Sequence, residues 1–148
     1  MAEEAEPALS SLLAGGSIHL TATATDREDA VRQTGRALLD AGAVDAGYID
    51  AMLERERSVS TYVGEGIAIP HGTRAATDRV LRDAIVVLRF PEGVDWQGND
   101  VRVCVGIAAL GGGHIALLSR LARVLLEPEA ASSLRAAATE SQVYAILE

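Results

Sequence analysis

Chemistry in this chain falls first to its three histidines, His19, His71 and His114. His71 stands in GIAIPHGT, where Pro70 fixes its approach and Gly72 leaves little bulk around the ring. A neutral imidazole at such a turn can be a nucleophile, a general base or a metal ligand, and a surface turn histidine is the alternative. His114 follows Gly111–Gly113 and opens an apolar-periodic stretch, so it heads a helix whose unpaired N–H groups favour an anion. The same dipole disfavours an imidazolium, leaving a neutral His114 to donate an N–H to a phosphate or to a partner histidine. A plain glycine-rich loop is its alternative. His19, in SIHL, reads as a structural residue. Arg55 and Glu65 precede His71; an arginine fork beside a histidine nucleophile suits phosphoryl transfer, and solvated surface charges are the alternative for both.

Several other chemistries lack their residues. Gly64 and Gly66 have the spacing of a dinucleotide fingerprint, but the third glycine is missing and Pro70 falls where a helix should run. All 13 basic residues are Arg, and without lysine there is no P-loop. No Gly-X-Ser-X-Gly elbow occurs. Two histidines without an Asp-rich or Cys-rich cluster make no zinc motif, so neither a metal nor a cofactor is expected. Cys104, the single cysteine, cannot form an internal disulfide and reads as a buried, inert thiol within VRVCVGI.

The elements that must position these residues follow from periodicity. After an acidic tail and lead-in over residues 1–14, Ser17–Leu20 reads as a short strand. A helix is expected over TDREDAVRQTGRALLDAG, with Thr25 and Glu28 as capping box, Ala30, Val31, Ala37, Leu38 and Ala41 buried, and Gly42 as the stop. A second should run from Asp45 to about Arg57, burying Ile49, Met52 and Leu53. A short strand then delivers His71 to its turn. AIVVLRF and VRVCVGIAA are apolar nearly throughout and predict central strands, joined by a loop over PEGVDWQGND. HIALLSRLARVLL carries Ile115, Leu118, Leu121, Ala122 and Leu125 at helical spacing; Pro128 starts another helix, and SQVYAIL closes the chain with a last one. Helices alternating with four or so strands predict a single α/β domain whose sheet is covered on both faces.

At 148 residues one hydrophobic core suffices. Acidic residues outnumber basic ones 21 to 13, for a net charge of −8, so phosphate backbones and anionic lipid surfaces are repelled. The acidic start MAEEAEPALS is unlike a secretory signal and no apolar run spans a bilayer, so a cytoplasmic location without membrane insertion or nucleic-acid binding is expected.

Together, MLERE, TYVGEGIAIPHGT, FPEGVDW and VGIAA before His114 resemble the mannitol/fructose-type enzyme IIA domain of the bacterial phosphoenolpyruvate-dependent sugar phosphotransferase system, over about residues 17–148. FPEGV followed by GIAA, a four-residue spacer and HI is most similar to the mannitol branch. The resemblance implies a five-stranded mixed sheet, a carrier domain over 15–148, His71 as the phosphorylated residue, and Arg55, Glu65 and His114 around it. It also implies the phosphocarrier HPr as donor, a sugar-specific enzyme IIB as acceptor, and acidic residues such as Glu65 steering docking around an apolar patch. A regulatory protein whose phosphorylated His71 controls partner binding is the competing expectation. Leu110–Gly113 departs from the family's more polar loop.

Overall fold

The computed structural model describes residues 9–111 and 113–147; the side chains of Ala14, Arg74 and His114 lie outside that description. Along the chain run β1 (Leu13–His19), α1 (Arg27–Asp40), α2 (Gly47–Ser58), β2 (Tyr62–Gly64), β3 (Ile67–Ala68), β4 (Ala84–Trp96), β5 (Asn99–Ala108), α3 (His114–Leu125), α4 (Pro128–Arg135) and α5 (Glu140–Ile146). Short 3-10 turns cover Leu9–Leu12 and Arg74–Arg79. The strands form one five-stranded mixed sheet in the order β1-β4-β5-β3-β2. β1 lies parallel to β4 and β3 parallel to β5, whereas β4–β5 and β2–β3 are antiparallel hairpins.

Two apolar layers sandwich this sheet, as the expected α/β class requires. Alternation in β4 sends Val86, Leu88 and Phe90 to one face, where Val31 and Leu38 of α1 and Met52 and Leu53 of α2 cover them. Ile85 and Val87 point the other way and meet Leu117, Leu121 and Leu125 of α3 with Leu134 and Val143 of the last two helices. Both faces of the central strands are therefore dry, which is why their sequence is apolar rather than alternating. Folding begins ahead of the expected strand: Leu9 joins the second cluster, and the Ser10 N–H donates to the Leu147 carbonyl at 2.8 Å.

Some local expectations need correcting. The α1 cap is Asp26, whose carboxylate accepts the Asp29 N–H at 2.7 Å; Thr25 instead donates its own N–H to Asp29. In α2 it is Tyr48 that is buried, Ile49 being only half-buried. Ile115 is 54% exposed, and the inward row of α3 is Leu117, Leu121 and Leu125, one residue per turn. The largest difference is PEGVDWQGND, expected as a loop. β4 continues through it, and from Gly93 the burial alternates: Val94 and Trp96 are buried and Asp95 between them is exposed, a period of two. Only Gln97 and Gly98 turn the chain, with φ of 56° and 93°, the left-handed pair of a tight hairpin whose twist suits the strands.

Trp96 shows how this ribbon is tied to the helical layer. Its indole N–H donates to the carboxylate of Glu56 at 3.0 Å, and Glu56, only 2% exposed, also accepts the Thr61 N–H at 3.0 Å and the Thr61 hydroxyl. Three donors on one buried carboxylate satisfy a group that would otherwise oppose folding. Trp96→Phe retains most of the apolar bulk but removes one donor. Urea denaturation of this variant should give a stability loss of about 1–3 kcal/mol; a stability equal to wild type would mean that Glu56 does not need the indole.

Candidate active site

His71 lies three residues beyond the short β3, at the end of the sheet where both parallel strands, β3 and β5, finish. That register is carried past the strand itself: the Ile107 N–H donates to the Pro70 carbonyl at 3.2 Å, and the Ile69 N–H to the Thr61 carbonyl at 3.0 Å. Pro70 has no N–H to offer a ladder, so the pairing of β3 stops here and the chain turns. The His71 ring, 5% exposed, is held by a bond between its Nδ1 and the Ile69 carbonyl at 2.9 Å. A carbonyl only accepts, so Nδ1 carries the proton and, in the neutral ring, the lone pair is on Nε2. The backbone two residues earlier thus selects the tautomer and aims the nucleophilic nitrogen.

Tyr48 locks the turn from beneath. Its hydroxyl accepts the Gly72 N–H at 2.9 Å and donates to the Ile107 carbonyl at 3.2 Å, linking the His71 turn to the last residues of β5. Burial pushes the Tyr48 phenol above its ordinary value, with the Gly72 N–H working in the opposite direction. Glycine is required at 72 for space, because a Cβ there would lie 2.5 Å from the Tyr48 ring. Neither Tyr48 nor the Glu56–Thr61 pair behind the β2–β3 hairpin was visible as a site element in sequence. The available signal was a tyrosine on an apolar helical stripe, whose hydroxyl must find partners once buried.

Of the other expected site residues, two belong to this end of the sheet. Arg55, half-buried in the last turn of α2, donates from Nη1 to the Val59 carbonyl at 2.6 Å, two residues before Thr61 receives Ile69. His114 is the first residue of α3, just beyond the C-terminal end of β5. The loop between them is fixed by the Leu110 N–H donating to Asp83 at 2.7 Å and by Gly111 at φ 58°. The contacts of the His114 ring fall outside the described residues.

Glu65 is a correction. It occupies the β2–β3 turn at φ 58°, with its carbonyl receiving Arg135 Nη1, whereas His71 is at the other end of β3. Gly66 pairs level with Arg102 and Pro70 with Ile107, so the two ends stand roughly 13 Å apart at ~3.3 Å per residue. Proximity in sequence misled because the intervening chain is extended. Cys104 is fully buried and burial pushes its thiol up, as suits an inert group. Among the described residues no three His, Cys, Asp or Glu gather where a metal could be held, and no helix is long and apolar enough to cross a membrane. A cavity of about 720 Å3 between β1 and α1, lined in part by His19, Arg32 and Arg36, is on the far edge of the sheet from His71.

The chain as a whole has known relatives. Residues 11–148 match the family described as the phosphoenolpyruvate-dependent sugar phosphotransferase system, EIIA 2. The chain belongs to that family of phosphotransferase components. It is 39% identical over 140 residues to a mannitol-specific phosphotransferase enzyme IIA component of Staphylococcus aureus, covering 95% of this chain and 97% of the relative. A multiphosphoryl transfer protein of Escherichia coli O157:H7 is 44% identical over 131 residues, or 88% of this chain, which spans only 35% of that longer protein. Among solved structures, the crystal structure of IIA mannitol from Escherichia coli superposes with a TM-score of 0.84 at 36% identity, covering 92% of this chain and 99% of the other. The Escherichia coli IIAMTL in complex with phosphorylated IIBMTL gives 0.85 at 35% identity, covering 91% and 96%. The five-stranded mixed sheet implied by the sequence resemblance is thus the fold observed.

Removing the Tyr48 hydroxyl tests the lock. Tyr48→Phe leaves the Gly72 N–H and the Ile107 carbonyl without that partner and should cost about 1–3 kcal/mol at neutral pH. Because the folded phenol titrates above the unfolded one, its contribution is complete below about pH 10 and is lost as pH rises through the folded value. Denaturation curves of wild type and variant should therefore converge at alkaline pH; a gap that stays constant to pH 11 would count against the phenol's role.

Proposed function

We propose that the protein is a cytoplasmic phosphocarrier in which His71 Nε2 accepts a phosphoryl group from the phosphohistidine of HPr and passes it to the enzyme IIB component of a mannitol system. The observation that carries this reading is the bond from Nδ1–H to the Ile69 carbonyl, which leaves the nucleophilic lone pair on Nε2. In the transfer, the Nε2 lone pair forms the new P–N bond as the donor's P–N bond breaks, and the donor ring retains the electron pair. Phosphorylated with Nδ1–H in place, the His71 ring gains positive charge that the Ile69 carbonyl stabilises. A cationic ring is a good leaving group, so the adduct stays reactive enough to be handed on.

The remaining residues supply positioning and charge. Arg55 brings a guanidinium to this end of the sheet, and the first turn of α3, headed by His114, brings N–H groups suited to phosphoryl oxygens. Burial of the ring requires the partner to present its phosphoryl group at close range, with bulk water excluded. Val59, Leu110 and Ile115 are 61%, 51% and 54% exposed on segments at this end, an apolar rim for docking. Mannitol as the sugar and IIB as the acceptor are supported by the likeness to the Staphylococcus aureus component and to the Escherichia coli protein seen with IIBMTL.

The reading is tested by incubation with phosphoenolpyruvate, enzyme I and HPr, followed by transfer to purified mannitol and fructose IIB domains. Label should appear on Nε2 of His71, identified by nitrogen-15 NMR as the 3-phosphohistidine, be stable in alkali, and be absent from His71→Ala. Arg55→Ala and His114→Ala should still be labelled, but roughly 10- to 1000-fold more slowly in rapid quench. Label on Nδ1 would refute the tautomer assignment; labelling without transfer to either IIB would favour a regulatory protein over a transport component.

A further inference from the structure

Three of the arginines of this acidic chain converge at the end of the sheet opposite His71. Arg89 of β4, Arg102 of β5 and Arg135 of α4 line one cavity of about 310 Å3, together with Pro91, Ser132 and Ala136. Their meeting is a product of local irregularity. The N–H groups of Arg102 and Val103 both donate to the Gly66 carbonyl, at 2.8 and 3.2 Å, and this bulge re-aims Arg102 relative to the regular alternation of β5. Arg135 crosses the Glu65–Gly66 turn so closely that a Cβ on Gly66 would sit 3.0 Å from its Cδ.

The donors of this cluster exceed the acceptors that meet them. Arg89 Nη1 donates to the Arg135 carbonyl at 3.2 Å, Arg135 Nη1 to the Glu65 carbonyl, and Arg102 to the Pro91 carbonyl and, at 2.8 Å, to Asp100. Each guanidinium has five N–H groups. The Nε of Arg89 is buried and has no acceptor among the described residues. No carboxylate is among the residues lining this cavity; Asp100 meets Arg102 from an adjoining one of about 420 Å3, lined also by Tyr62, Glu65, Gly66 and Arg135. Three positive forks in one small cavity suit a dianion with several oxygens, which a tetrahedral phosphate has and a planar carboxylate lacks. The neighbouring cavity offers two carboxylates and a phenol, acceptors for hydroxyl groups.

We propose that the Arg89–Arg102–Arg135 cavity binds the phosphate of a sugar or polyol phosphate, whose hydroxyl groups extend toward Glu65 and Asp100. The site is separate from His71 and does not depend on the relay reading, since occupancy is read by binding rather than by phosphoryl transfer.

The test is an NMR titration of the unphosphorylated full chain with mannitol 1-phosphate, inorganic phosphate and mannitol in separate arms. Saturable amide shifts are expected at Gly66, Arg102, Ser132 and Arg135 with mannitol 1-phosphate, weaker binding with inorganic phosphate, and none with mannitol. Arg89→Gln and Arg135→Gln should each weaken binding about tenfold or more, the loss of a charge-assisted pair, while labelling of His71 by phospho-HPr proceeds as in wild type. Ser132→Ala, an exposed change that leaves the fold intact, should weaken it by a smaller factor. Shifts confined to the Gly72 turn, equal affinity for inorganic phosphate and mannitol 1-phosphate, or undiminished binding in both arginine variants would overturn the proposal.

Discussion

The bond between His71 Nδ1–H and the Ile69 carbonyl is the constraint around which the active end of the molecule is arranged. It can exist only if residues 69–71 leave the sheet at one fixed place, and that place is set by Pro70, which ends the ladder, and by Ile107 and Thr61, which hold the backbone on either side. The Tyr48 hydroxyl then closes the turn from below. Each of these groups is buried, so each bond is also the satisfaction of a polar atom that the fold could not leave unpaired. The tautomer of His71 thus follows from the same backbone accounting that places its turn.

Such an arrangement depends on β3, which has only two residues and yet is bonded on both sides, to β5 in parallel and to β2 in a hairpin. A strand this short would not hold a register by itself. Ile67, Ala68 and Ile69 are all fully buried, and the apolar face of α3 covers the side that Ile67 and Ile69 present. Burial on both faces penalises any slip by one residue, because slipping would exchange the side chains of the two layers. The core thereby transmits its rigidity to the histidine turn.

How much of this was legible in sequence depended on whether the signal was local. The segments at 84–90 and 101–109, the helical stretches and the turn at Pro70–His71 follow from runs and breakers within a few residues, and β4, β5 and the helices lie on them, though β4 and β5 extend toward each other and α2 begins at Gly47 rather than being capped by Asp45. The ribbon through Val94 and Trp96 was missed because Pro91, Gly93 and Gly98 were weighed as turn residues while the alternation between them was not. Closeness in sequence and the family resemblance both put Glu65 beside His71, whereas the extended chain between them carries it to the opposite end of β3. Tyr48 and Glu56 act across 24 and 40 residues of sequence, on Gly72 and Trp96 respectively. No local pattern announces such partners; only the demand that a buried hydroxyl or carboxylate be satisfied points to their existence.

The exclusive use of arginine acquires a physical reason in this setting. Arg55, Arg82, Arg89, Arg102 and Arg135 each donate to a backbone carbonyl, those of Val59, Ala41, Arg135, Pro91 and Glu65, and most of these carbonyls are at the ends of elements or in turns. A planar fork can grip a carbonyl with one N–H and present the others elsewhere, which a lysine ammonium on a flexible stem does less well. Cations used in this way are tied into loops. The described ion pairs are few and exposed, Arg57–Glu28, Arg79–Asp45 and Arg102–Asp100, so they add little to stability. Acidic residues outnumber basic ones 21 to 13, for a net charge of −8. The long-range field is consequently negative, and anions approach against it except where guanidiniums gather, as they do at the three-arginine cavity.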